Sequence, residues 1–563
     1  SSNCVVATLS CETGYTLGVG HTHGRFGAMM KFAGYDGVVF QGVSPKPVFL
    51  WISDGRAELR DASAIWGKDT HETEDLVKAD VGEAEASVSA IGPGGEAMMA
   101  GGAVETDKYH MAAKGGSGSV LGSKRLKAVA AYGNWGVRAS DPAKLIEVAE
   151  DWRRKMFQGA MATAPSLFGA GTSRSRDRSA SRGHLAIKNF SDPAAALEFA
   201  VRYKEASKRS QVRPQGCFSC PIACSYRIEV GTGPHAGYVA TLSGGGEGLE
   251  GAAVMAGVIE PGAVWRLADR YDRLGLDSGV VGSAIALCFE CYERGLLSKE
   301  QTGGLELNWG NAEAAEALLG MAMRREGLGK SIAEGPLKTA QTIGGDALNY
   351  VVHVKGTSIN LHDFRMAFGV LLGQFVSTIG PAWQAFCLDG SAVEPDLGFE
   401  TLSDAFDPTI KPREARLTAI KKCFDDSLGT CWFNDVGFHG YMDLAGRALG
   451  HAVGWGAVPR DEMEVIGERV LNLTRAFSIK HGYKPVYDLD ISPRILEAPP
   501  SGPAKGHSVA PFVKDMILEY YRLMDWDAEI GRPSEAKLRS LGLDEIVSDL
   551  YGNQRAGDRE VER

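Results

Sequence analysis

No stretch of this 563-residue chain approaches the roughly 20 consecutive apolar residues that a bilayer-spanning helix needs. No basic-then-apolar signal segment opens it either. A soluble, cytoplasmic chain is expected. An excess of positive charge is also missing: 60 Lys+Arg against 70 Asp+Glu give a formal charge of -10, whereas a duplex-binding face needs net basic charge to release counterions. Nucleic acid is excluded as the main partner. Cysteine is sparse, ten in the whole chain, too few for a disulfide scaffold of this size. Three of them nevertheless fall within residues 217–224, a density that points to metal chemistry in a reducing compartment.

Glycine is what the chain has in excess. Its 71 glycines are about 13% of the residues, against a usual share near 7%, and they gather at GPGG (92–95), GGSGSVLG (115–122) and SGGGEG (243–248). Such loops are either tight turns or close-approach loops whose backbone N–H groups can reach an anionic ligand. A hydrophobic share of 44% and a charged share of 23% are ordinary for a globular protein, and the length leaves room for about three or four domains.

From Val5 to about Gly133, short β-type runs (DGVVF, KPVFLWI, RLKAVAAY) alternate with glycine turns, which predicts a β-rich domain over 1–137. At Asp141-Pro142 the texture changes to apolar residues at helical spacing, Leu145, Val148, Trp152 and Met156. Further helical patterns start at Asp192-Pro193, Pro261, Ala312 and Pro412, and DMILEYYRLMDW is expected to end the regular part. The expected fold class is α+β: the β-rich domain, then mainly helical domains over 138–350 and 351–563. The basic, serine-rich segment SRSRDRSASR (173–182) reads as a solvated loop or a docking patch for an acidic electron carrier.

CFSCPIAC places Cys217, Cys220 and Cys224 at C-x2-C-x3-C spacing. Three thiolates this close can hold three corners of one [4Fe–4S] centre, with a fourth ligand from elsewhere. Zinc is the competing reading, with Cys288 and Cys291 of CFEC as the second pair. The remaining candidates for the fourth ligand are Cys4, Cys11, Cys387, Cys423 and Cys431.

Two segments share a D-x-L-G motif: Asp272 to Asp277 (DRLGLD) and Asp426 to Cys431 (DSLGTC). A carboxylate at a helix end beside a glycine turn can accept paired hydrogen bonds from an amino-pyrimidine edge, and two copies suit two similar ligands. The same pattern also occurs at ordinary helix ends.

The paired motifs, CFSCPIAC, FGAMMKFAGYDGVVFQG (26–42), RDASAIWGK (60–68), AIGPGGE (90–96), GGSGSVLGSKRLKAV (115–129), REGLGKSIAEG (325–335), HVKG (353–356) and SGPAKGH (501–507) resemble the tungsten-containing aldehyde:ferredoxin oxidoreductase family. That family includes the catalytic subunits of tungsten benzoyl-coenzyme A reductases. The resemblance runs from the first residues to about Gly542. It implies a β domain carrying the cofactor, with two helical domains closing over it. It also implies a tungsten or molybdenum bis-molybdopterin, one [4Fe–4S] cluster and Mg2+ between the pterin phosphates. Cys431, at the end of the second motif, becomes the fourth cluster ligand beside Cys217, Cys220 and Cys224. One pterin falls to Asp272, Gly275 and Leu276, the other to Asp426, Gly429 and Thr430. Lys114, Gly115, Gly116, Ser117 and Gly118 stand where the family's Arg-containing loop follows the phosphates, the lysine keeping the charge but not the bidentate fork. Asn3 falls near a family arginine, and His21 near the asparagine that helps hold Mg2+.

Other departures carry expectations of their own. The family's N-terminal domain begins several dozen residues earlier. Its subunit-bridging Glu-x-x-His falls at Arg266 and Asp269, so that mononuclear iron is expected to be missing. Its active-site histidine falls at Trp383, while a neighbouring glutamate is kept as Glu247, or as Glu250 if the loop shifts. Glu247 is the expected proton-transfer group, with a raised pKa in an apolar cavity, supplemented by His362, Asp363 and Arg365 of LHDFR. The implied activity couples two-electron aldehyde/carboxylate chemistry to single-electron transfer to ferredoxin or an Fe–S partner, in a homo- or hetero-oligomer. The alternatives are reduction of an aromatic coenzyme A thioester, and an electron-transfer subunit without turnover.

Overall fold

Strands form in the first part of the chain where β-branched and aromatic residues run between glycine turns. The computed structural model describes residues 2–163, 165, 168–382, 384, 393–434 and 438–561. β1 (Cys4–Leu9) and β2 (Leu17–Thr22) make an antiparallel hairpin. β3 (Val48–Ser53), β4 (Arg56–Asp61), β5 (Ser87–Ile91), β6 (Val104–Thr106), β7 (His110–Ala112) and β8 (Leu126–Tyr132) make a six-stranded sheet. Its order is β4-β3-β8-β5-β6-β7, with β3 and β8 parallel and the other neighbours antiparallel.

Alternation along β8 sends Val129 and Ala131 to one face, against Phe26, Met29 and Met30 of the helix Phe26–Phe32. Ala128 and Ala130 face Val77 of the helix Thr70–Val81 on the other side. Each large side chain buried in this way stabilises the domain by about 1.5–3 kcal/mol. DGVVF is not a strand: Val39 lies 85% exposed. The helix Thr70–Val81 was not foreseen, although Asp69 and Glu72 form a capping box, Asp69 Oδ1 accepting from Glu72 N at 2.7 Å.

The expected helices begin close to their signals: Pro142–Thr163, Ala195–Lys208, Pro261–Leu274, Ala312–Arg324 and Lys411–Leu428. Proline fits the first helical turn because the missing N–H has no partner there. A second antiparallel sheet, β9 (Gln211–Gln215), β10 (Ser225–Glu229) and β11 (Val239–Leu242), interrupts the helices in the order β11-β10-β9. The link from β9 to β10 carries the cysteine triad.

Two expectations are corrected. Regular structure continues past Val513–Met524 into the helices Glu535–Ser540 and Asp544–Val561. The segment 173–182 is no solvated loop: Ser173 and Arg176 are buried. One apolar core gathers residues up to Val351, and a second centres on residues from Val352 to Trp526. Among the described residues no helix is long and apolar enough to cross a membrane.

Candidate cofactor and active site

Both D-x-L-G motifs are helix C-caps of the same kind. The helix Pro261–Leu274 ends at Gly275 (φ 66°), whose N–H reaches Asp272 O at 2.9 Å while Leu276 N reaches Tyr271 O at 3.1 Å. The helix Lys411–Leu428 ends at Gly429 (φ 76°), with Gly429 N on Asp426 O at 3.1 Å and Thr430 N on Asp425 O at 3.0 Å. Only glycine adopts this left-handed turn at no steric cost.

Each turn is pinned to the β-rich part. Gly275 O accepts from Ala103 N at 2.8 Å, and Gly429 O from Asn3 N at 3.2 Å. The carboxylates differ. Asp426 is partnered by Lys422, by Asn3 Nδ2 at 3.3 Å and by His21 Nε2 at 3.6 Å. Asp272 is half-buried, has no hydrogen bond to its carboxylate among the described residues, and is pushed well up by burial and by Glu105 and Asp269. An orphaned, desolvated acceptor of this kind fits a donor edge such as an amino-pyrimidine.

The glycine loop lies beside the first motif. Lys114 N donates to Asp277 Oδ2 at 3.1 Å, and its Nζ reaches Ser358 Oγ at 2.9 Å and the carbonyls of Ser358 and Ile359, both at 3.2 Å. The ammonium thus ties the β-rich part to residues just before His362. Chain packing accounts for the glycines: a Cβ on Gly115 would meet Gly18, one on Gly116 Cys11 Sγ, and one on Gly118 Ala103. The Ser117 hydroxyl is fully buried and has no hydrogen-bond partner among the described residues, an orphan that fits a phosphate oxygen. His21 does not fit Mg2+. Its Nδ1 is 3.3 Å from Asn3 Oδ1 and its Nε2 faces Asp426, whereas Mg2+ prefers oxygen donors in an octahedron.

Cys217, Cys220 and Cys224 lie together with Cys431, which follows the second turn directly. Burial raises the Cys217 thiol to about 11 and the Cys431 thiol to about 12, and the neighbouring cysteines add to both. Cys224 is pushed up by burial and by Cys431, Cys217 and Cys220. Met156, Ile222, Phe168, Phe433 and Phe438 pack around Cys220 and Cys224. Trp152 on the helix Pro142–Thr163 also donates to Asn434 O at 2.9 Å. Thiols this crowded ionise only when a cationic centre binds them. No group of three His, Cys, Asp or Glu among the described residues is gathered tightly enough for a single metal ion. Cys288 and Cys291 are buried in the helix Ser278–Glu293 and interact with each other, not with the triad.

A third constellation surrounds His362. Its Nδ1 is 2.9 Å from Glu250 Oε1, and its Nε2 is 3.5 Å from Glu247 Oε1. Glu250, fully buried, also accepts from Arg176 at 2.6 Å and from Ala186 N at 3.0 Å. Burial opposes charge on His362, but Glu250 and then Glu247 lift it to about 9. Burial likewise opposes charge on Glu247, and the His362 imidazolium overrides it, holding Glu247 at about 2. The expected raised pKa of Glu247 is therefore wrong in sign, and the proton sits on His362. His184 packs against the same ring, tilted by 43° with the centroids 4.0 Å apart. Glycines allow the close approach: the helix Gly246–Ala252 crosses Ser278–Glu293 with Gly251 O against Gly282.

Asp363 and Arg365 pair with each other at 2.8 and 2.6 Å. At the family's iron positions, Arg266 binds Glu316 at 2.6 Å and Asp269 binds Arg273 at 2.8 Å. Trp383 and Cys387 lie outside the described residues. Sequence reasoning missed Arg176, His184, His23 and His110. The doublet GHTHG (20–24) was a legible signal for His23.

Residues 1–133 match the family described as aldehyde ferredoxin oxidoreductase, N-terminal domain, and residues 147–543 match its domains 2 and 3. The chain is 32% identical over 556 residues to a tungsten-containing aldehyde ferredoxin oxidoreductase of Pyrococcus abyssi, covering 96% of this chain and 87% of that protein. It is 29% identical over 553 residues to an aliphatic sulfonate oxidoreductase, WOR-like subunit, of Pyrococcus furiosus, covering 93% and 83%. Its fold is that of a chain in the active-site complex BamBC of benzoyl coenzyme A reductase, solved with 1,5-dienoyl-CoA: TM-score 0.83 at 21% identity, over 98% of this chain and 88% of that one. With both its β-rich and its helical parts matched in order, the chain belongs to the aldehyde ferredoxin oxidoreductase family and is an oxidoreductase of that type.

Proposed function

We propose that the chain holds a tungsten or molybdenum bis-pterin between its two D-x-L-G turns and one [4Fe–4S] cluster on Cys217, Cys220, Cys224 and Cys431, and that it interconverts an aldehyde and a carboxylate. The observation that carries this reading is the pairing of Gly275 and Gly429, two equivalent turns docked on one β-rich part, with Cys431 directly after the second. Asp272 would take one pterin edge and Ser117 a phosphate, while Asp426, already paired, would orient the second pterin with Asn3 and Thr430. When bound, the metal-pterin supplies two-electron exchange and the cluster single-electron storage.

Oxidising an aldehyde with water yields a carboxylate, two electrons and three protons, so the site needs a proton carrier that does not drift. His362, clamped between Glu250 and Glu247, is held protonated: it would donate that proton in carboxylate reduction, and in aldehyde oxidation would take one up only after passing its own on to solvent. Arg176 donates to Glu250, and His184 packs beside the ring. The electrons leave to a ferredoxin or an Fe–S subunit. A hetero-oligomer is favoured by two similar proteins, one named a subunit and one solved as a complex.

A second reading, reduction of an aromatic coenzyme A thioester, draws on the same imidazolium, because a proton donor beside the site suits a reduction. Anaerobic turnover separates the two. Aldehyde-dependent reduction of a viologen dye, lost in His362→Gln, is expected. Turnover of an aromatic thioester with no aldehyde activity would replace the first reading by the second.

A further inference from the structure

Two neighbouring contacts join the β-rich part to the cysteine loop. Phe218 N donates to Gly24 O at 2.9 Å, and one residue earlier Cys217 Sγ stands 3.7 Å from His110 Nε2. His110, on β7, is buried, and the ring of His23 meets it edge-on at 6.0 Å. Gly24 makes the approach possible. It sits at φ 78°, and a Cβ there would meet Asp107 Oδ2 at 2.5 Å and His110 Cδ2 at 3.0 Å. Asp107, beside this corner, accepts from Arg25 N at 2.7 Å and from Ser87 Oγ at 2.6 Å.

We infer that His110 donates its Nε2–H to the Cys217 sulfur and so sets the reduction potential of the centre bound there, acting as a positioning residue supplied by the β-rich part. The inference rests on the reading of Cys217 as a cluster ligand. A ligating cysteine is a thiolate and carries no proton, so the only hydrogen available between these two atoms is the one on the imidazole, which fixes its tautomer. A donor aimed at the sulfur withdraws charge and favours the reduced cluster, because potentials of such centres follow the hydrogen bonds to their sulfurs. Reduction adds one electron to the centre while the proton stays on His110, and no bond forms or breaks.

The test is a reductive titration of the anaerobically purified holoprotein with a low-potential reductant, followed by electron paramagnetic resonance, in the parent, His110→Phe and His110→Gln. The phenylalanine keeps the ring and loses the donor, whereas the glutamine amide keeps an N–H near the Nε2 position. The expected result is an unchanged iron content, with a roughly tenfold loss in the reduction equilibrium in His110→Phe, about 59 mV more negative for one electron, and most of it regained in His110→Gln. Equal potentials in parent and His110→Phe at full iron content would overturn the inference and leave the cluster reading standing. A parent without iron would overturn both. Should His110→Phe fail to fold, 15N-histidine labelling of the parent decides: a 15N hyperfine coupling at the reduced cluster is expected, and its absence overturns the inference.

Discussion

Gly275 and Gly429 occupy the same left-handed turn, at φ 66° and 76°, and each gives its carbonyl to a backbone N–H of the β-rich part, from Ala103 at 2.8 Å and Asn3 at 3.2 Å. The surroundings of the two glycines are unequal. A Cβ on Gly275 would sit 2.5 Å from Gly92 N, whereas one on Gly429 meets nothing nearer than Asn3 O at 3.7 Å. Gly429→Ala should cost only the left-handed strain, about 1–2 kcal/mol, and Gly275→Ala more. Thermal unfolding of the two variants at equal cofactor loading checks the order.

The two motif carboxylates predict opposite stability effects. Asp272→Asn replaces a desolvated carboxyl, whose ionisation Glu105 and Asp269 oppose, with a neutral amide, so cofactor-free protein should keep or gain stability while tungsten or molybdenum content falls. Asp426→Asn takes an anion from the buried Lys422 and should cost about 1–3 kcal/mol even without cofactor. Melting temperatures of the cofactor-free variants, set beside metal content of the loaded ones, test both halves.

The His362 clamp sets a pH window. A histidine raised from the ordinary 6.5 to about 9 adds stability that is complete below 6.5 and is lost as pH rises through about 9. Glu247, lowered from 4.5 to about 2, adds stability that is complete above 4.5 and is lost as pH falls through about 2. Between 4.5 and 6.5 both contributions are whole. Stability against denaturant should therefore decline from pH 6.5 to 9 in the parent, and His362→Gln should flatten that limb. An equal decline in the variant would place the titrating group elsewhere.

Elements signalled by neighbouring residues were legible in the sequence. Prolines at 142 and 261 mark helix starts to the residue, and KPVFLWI and RLKAVAAY become β3 and β8. What depended on distant partners was not. Arg176 sits in a segment whose local composition reads as solvated, and only Glu250, 74 positions away, explains its burial. The sign of the Glu247 shift fails for the same reason: an apolar cavity would raise it, but His362 faces it from another element. DGVVF has β-type residues, yet Val39 finds no sheet to cover it. The D-x-L-G turns were readable as motifs, while their equivalent docking on Ala103 and Asn3 required the fold.

The direct test of the central claim is quantification of metal, pterin and iron in anaerobically purified parent protein and in Cys431→Ala. The account predicts about one tungsten or molybdenum with two pterins and about four irons per parent chain, and loss of the iron in the variant. Zinc on the parent cysteines without pterin, or four irons retained in Cys431→Ala with an unchanged spectrum, would contradict it.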